Sequence, residues 1–172
     1  MNIFEFAMQK EQDAEAHYRS LAQTSQSEGL EHIFTMLADA EVRHYNVVRE
    51  MQSTTPEVPT SNIVDEALKA LRQARASKSM ATVSDDAQTE AYEKARQIED
   101  ESIQFYNEQA DKAEDEKAER IFRQLANQEK MHYVLVDNMA DFVSKPEQWI
   151  EDAEFTHILD KYRGTDYYPD MP

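Results

Sequence analysis

The chain has 172 residues, a formal net charge of -17 at pH 7 and no cysteine. That length suits one domain with a real core, and the lack of cysteine excludes disulfides, iron–sulfur clusters, thiolate zinc sites and thiol nucleophiles. The acidic balance argues against nucleic acid and anionic membranes as partners, and no stretch approaches the roughly 20 apolar residues of a membrane span. With Gly 2 and Pro 5 against abundant Ala, Glu, Gln and Lys, the composition favours helices. The start, Met1 to Phe6, lacks the basic and apolar regions of a signal peptide, so a cytoplasmic location is expected.

Taken in chain order, Phe4, Ala7, Ala14, Tyr18 and Leu21 recur at steps of three and four and predict a helix over 2–25. The polar run Gln23 to Gly29 reads as a turn. A second helix follows, with Leu30, Phe34, Leu37, Val48 and Met51 on its apolar stripe, and Thr54 to Pro59 stops it. Ser61 to Ser79, with Ile63, Ala67, Leu68 and Leu71, predicts a short helix inside a long crossover. Ser84-Asp85-Asp86 can cap a third long helix bearing Tyr92, Ala95, Ser102 and Tyr106. The charged run Asp111 to Arg120 predicts a solvated turn, and a fourth helix carries Ile121, Phe122, Leu125, Val136 and Met139. Lys145-Pro146 opens a shorter C-terminal helix through Trp149, Phe155 and Leu159, before an irregular tail. The expected division is a bundle over 1–144, followed by a C-terminal helix and tail over 145–172.

One pattern occurs twice. Glu11, Tyr18, Glu41 and His44 recur 88 positions later as Glu99, Tyr106, Glu129 and His132. At the same offset Ala7, Ile33, Phe34, Leu37, Tyr45, Val48 and Met51 also repeat, so 7–51 and 95–139 read as a duplicated helical hairpin. Each acid occupies a core position on its stripe, as in Phe34, Leu37, Glu41, His44, Val48. Glu41 and His44, three residues apart, stand about 300° apart around one turn and can grip one ion. Glu11 and Glu41 each lie 15 residues from Gln26, and Glu99 and Glu129 each lie 15 from Glu114, so all four acids fall at one level of the bundle.

A single core glutamate is commonly neutralised by burial, a hydrogen bond or a nearby cation. Four together, with no Lys or Arg on the same stripes, would cost several kcal/mol per uncompensated ion. Two divalent ions balance four carboxylates, and two neutral imidazoles complete the set. Oxygen and nitrogen ligands without sulfur suit iron or manganese and admit zinc. Tyr18 and Tyr106, two turns from Glu11 and Glu99 on the same faces, read as core residues hydrogen-bonded to ligand carboxylates, with electron transfer as the rival role. Glu15 lies one turn from Glu11, but its counterpart is Ile103. His17 and His32, matched by Phe105 and Arg120, do not read as ligands. Glu154-Phe155-Thr156-His157 repeats the Glu-x-x-His spacing without a partner glutamate.

A Glu on helix one, Glu-x-x-His on helix two and the same again on helices three and four resembles the ferritin-like di-iron carboxylate bundle. Phe6 to Tyr18 resembles the first helix of the rubrerythrin branch, and Leu37 to His44 is similar to its second ligand helix. The likeness covers about residues 2 to 143. It implies an all-α, ferritin-like four-helix bundle that binds two iron ions. Glu11, Glu41, His44, Glu99, Glu129 and His132 would be the ligands, with Glu41 and Glu129 bridging and Glu11 and Glu99 terminal. Rubrerythrins proper also carry a Cys-rich rubredoxin domain, which these residues cannot form, and an extra ligand Glu on helix three. Here Glu99 to Tyr106 keeps the seven-residue step of Glu11 to Tyr18. Glu101 should therefore face outward unless a π-bulge turns it in, and the ligand set looks more like that of bacterioferritin.

The resemblance implies a non-haem di-iron oxidoreductase that reduces hydrogen peroxide, or reacts with dioxygen, in oxidative-stress defence. A ferroxidase that handles iron and a non-catalytic metal-binding bundle are the alternatives. With no cysteine and no dinucleotide fingerprint, the expected reductant is an external, rubredoxin-like electron-donor protein. Ile3, Phe4, Phe6, Trp149 and Phe155 suggest a homodimer.

Overall fold

The computed structural model describes residues 2–25, 27–76 and 86–144. These form five helices, α1 Ile3–Thr24, α2 Glu28–Met51, α3 Ile63–Ala76, α4 Asp86–Lys112 and α5 Glu116–Ser144. The predicted C-terminal helix, with Trp149, Phe155 and His157, lies outside the described residues, as do Ser84 and Asp85 of the expected cap. Among the described residues no helix is long and apolar enough to cross a membrane.

The helix starts follow their capping chemistry. Asn2 accepts a hydrogen bond from the Glu5 amide at 2.8 Å while the Glu5 carboxylate accepts from the Asn2 amide at 2.9 Å, a reciprocal cap on α1. Asp115 caps α5 by accepting from the Ala118 amide at 3.1 Å. Both hairpin turns are shorter than the sequence suggests. The run 23–29 is polar, yet α1 continues through Thr24, whose hydroxyl donates back to the Ser20 carbonyl at 3.0 Å. Gly29 sits buried in the first turn of α2. Likewise most of the charged run 111–120 extends the ends of α4 and α5. Solvated helix termini and true turns share a composition, so polarity alone misplaced the boundaries.

α1 packs along α2 and α4 along α5, while α1 meets α4 and α2 meets α5. The crossover helix α3 lies against α2 and α5. Two apolar clusters fill the bundle. One joins Tyr18, Leu21, Phe34 and Leu37 from the turn end of the first hairpin to Tyr92, Ala95, Val136 and Met139 from the open end of the second. The other joins Ala7, Val47 and Val48 to Tyr106, Ala110, Phe122 and Leu125. The hairpins therefore lie head to tail, related by an approximate twofold axis across the bundle. Matching ring pairs obey it: Tyr18 stacks on Phe34 at 6.4 Å and Tyr106 on Phe122 at 6.2 Å between centroids.

Candidate metal centre

The buried charged residues lie between these two clusters. Glu11, Glu41, His44, Glu99, Glu129 and His132 are each exposed by 2% or less. They come from all four bundle helices, because equal spacing from the two turns brings them to one level. No lysine or arginine is buried among the described residues.

The approximate twofold axis organises the contacts. His44 Nδ1 lies 2.9 Å from Glu129 Oε1, 3.3 Å from Glu41 Oε2 and 3.8 Å from Glu11 Oε2. His132 Nδ1 lies 2.9 Å from Glu41 Oε1, 3.1 Å from Glu129 Oε2 and 3.8 Å from Glu99 Oε2. The two imidazoles stack with centroids 5.3 Å apart. Glu41 and Glu129 thus face both histidines, whereas Glu11 stays beside His44 and Glu99 beside His132. Each tyrosine crosses to the other hairpin: the Tyr18 hydroxyl donates to Glu99 and the Tyr106 hydroxyl to Glu11.

With protons alone to balance these charges, the groups divide into two kinds. Burial pushes Glu11 and Glu99 well above the usual carboxylate range, and the charges on Glu129 and Glu41 add to it. Burial also acts on Glu41 and Glu129, but the neighbouring imidazoles outweigh it and hold both below that range. His44 and His132 resist burial for the same reason and are raised by the carboxylates around them. Burial and the nearby acids push Tyr18 and Tyr106 well up, so both phenols keep their protons.

Metal chemistry fits this arrangement. One ligand atom from each of Glu41, His44, Glu129 and His132 falls within 4.8 Å of the others. Glu41 Oε1 is fully enclosed and makes no well-aligned hydrogen bond among the described residues, although His132 Nδ1 approaches it to 2.9 Å. The donors are oxygen and nitrogen only, a set that suits iron or manganese and admits zinc.

The other candidates lie elsewhere. Glu101 is exposed, accepts from Gln97 at 2.8 Å and pairs with Lys10 at 3.5 Å on an uninterrupted α4. Glu15 pairs with Arg19 at 3.3 Å. The His17 ring contacts the Ala91 carbonyl at 3.0 Å, and His32 is exposed. Sequence reasoning missed Gln128, whose side-chain oxygen lies 2.9 Å from His44 Nε2. The signal was a break in the repeat, since its counterpart 88 positions earlier is Ala40.

Fold and cluster together define a four-helix-bundle protein built around a buried carboxylate–imidazole cluster that could hold metal. The Rubrerythrin family model matches residues 2–140, so the chain belongs to that ferritin-like di-iron family. Comparisons with curated proteins and with solved structures give no match.

Proposed function

We propose that this protein is a di-iron oxidoreductase that reduces hydrogen peroxide. The observation that carries the reading is the enclosure of four carboxyls and two imidazoles at one level with no buried lysine or arginine among the described residues. Iron bound there would supply, in its reduced form, the two electrons that cleave an O–O bond. Glu41 and Glu129, each facing both histidines, are placed to bridge. Glu11 with His44, and Glu99 with His132, would each complete one position. The phenols of Tyr18 and Tyr106 hold Glu99 and Glu11 from the opposite hairpin, which fixes the carboxylates without adding charge. A carboxylate of the site or a water there would supply the protons. Tyr18 and Tyr106 remain candidates for electron transfer, and manganese or zinc can compete for the site.

Two measurements test this. Elemental analysis should give two ions per chain, and Glu41→Ala or Glu129→Ala should each lose at least one. Rapid mixing of the anaerobic diferrous protein with peroxide should oxidise it faster than dioxygen does. Faster reaction with dioxygen, joined to mineral formation in a large cage, would favour ferroxidase chemistry instead. Redox-inert metal in protein from its native source would favour the non-catalytic bundle.

A further inference from the structure

The two halves of the site match closely in the residues facing the cluster and differ behind them. His44 turns its Nε2 toward Gln128 Oε1 at 2.9 Å, and Gln128 Nε2 donates to the Pro59 carbonyl at 2.8 Å. A carbonyl can only accept, so Pro59 fixes which way the Gln128 amide faces. The amide oxygen is left toward His44, and His44 Nε2 must be the donor. That assignment leaves Nδ1 as the atom offered to the carboxylate cluster. His132 has no such support. Its Nε2 is enclosed without a hydrogen-bond partner among the described residues, and the position equivalent to Gln128 is Ala40, which belongs to an apolar cluster with Ile63, Val64 and Ala67 of α3.

Resting on the dinuclear reading above, we infer that Gln128 is a positioning residue that makes the two metal positions unequal, so that the position of Glu11 and His44 fills first. Coordination through Nδ1 obliges the ring proton to sit on Nε2. At His44 that proton meets an oriented amide oxygen, which fixes the ring and strengthens the nitrogen as a donor. At His132 it meets no acceptor among the described residues, and an enclosed N–H with no acceptor opposes binding. Loss of such an outer partner commonly weakens metal affinity about 10–100-fold. The duplicated hairpin is thus symmetric in ligands and asymmetric in ligand support. The crossover, which runs only once, supplies Pro59 to one half.

Stepwise titration of the metal-free, full-length chain with Co(II) tests this, followed by calorimetry and visible absorption. His132→Ala should retain the wild-type affinity of the first step, whereas His44→Ala should lower it roughly 10–100-fold. Gln128→Ala should lower the first step by a similar factor and leave the second nearly unmoved. Gln128→Met, which keeps the side-chain length without the amide, should weaken the first step as Gln128→Ala does; this separates the hydrogen bond to His44 from packing. Equal weakening of the first step by the two histidine variants, an unmoved first step in Gln128→Ala, or wild-type affinity of the first step in Gln128→Met would overturn the inference. Fewer than two ions bound by the wild type would instead overturn the dinuclear reading beneath it.

Discussion

Glu11 and Glu99 are enclosed beside groups of their own sign, and only a proton or a cation makes that tolerable. The linkage has a definite sign. A carboxyl raised in the folded state contributes stability that is present below its unfolded value of 4.5 and lost as pH rises through the folded value. The raised imidazoles of His44 and His132 act in the same direction above 6.5. The depressed Glu41 and Glu129 act oppositely, but only as pH falls below 4.5. Chelator-treated protein should therefore melt at a lower temperature near pH 7.5 than near pH 5.5. The metal-loaded protein should show the reverse, because binding must displace protons. Calorimetry at the two pH values checks both. The metal-free double variant Glu11→Gln, Glu99→Gln should lose part of the slope, the imidazoles carrying the remainder; an undiminished slope would show that the two acids do not contribute. Tyr18→Phe leaves one oxygen of Glu99 unpartnered and should cost about 1–3 kcal/mol in urea unfolding. Tyr106→Phe should cost a similar amount through Glu11, as the approximate twofold axis requires. That the tyrosines would bond to acids of the site was readable from their shared stripe. That each bond crosses to the other hairpin was not, since a stripe shows which face a residue occupies and not what lies opposite.

The two hairpin turns show how far helix-level reading extends. Helix identity followed from apolar periodicity, and the level of the acids followed from their equal spacing about Gln26 and Glu114. The boundaries did not follow, because polar residues populate helix ends as readily as turns. Ser27 and Asp115 occupy equivalent places 88 positions apart, each just before its helix. Asp115 makes its capping bond, whereas Ser27 makes no side-chain cap and its hydroxyl is enclosed without a partner. Sequence alone would give both the same role. Asp115→Ala should thus cost about 1 kcal/mol, while Ser27→Ala should fall within about 0.5 kcal/mol of the wild type. Denaturant unfolding of the two variants decides it, and equal losses would show that the caps do not differ. Gln128 escaped sequence reading for a related reason: a residue that matters by departing from a repeat is invisible to a search for what the repeat conserves.

At the scale of the whole molecule, head-to-tail hairpins enclose the site between two apolar clusters. Peroxide reduction at an iron pair takes two electrons, so continued turnover requires re-reduction from outside. The sequence holds no cysteine and no Gly-rich dinucleotide fingerprint. The reductant we propose is a separate electron-donor protein, docking transiently through a small interface. Exposed Ile3 and Phe6, each 40% exposed, offer apolar surface for the homodimer that we also propose. Light scattering that returned a 24-subunit cage would instead promote iron storage. Isolated protein loaded with Fe(II) should undergo one round of oxidation by peroxide and then stop, even with NADH present. Adding a rubredoxin-type donor with its reductase should restore cycling, and His44→Ala should cycle much more slowly. Sustained NADH-dependent peroxide consumption by the isolated chain would show that electrons enter by a route these residues do not contain.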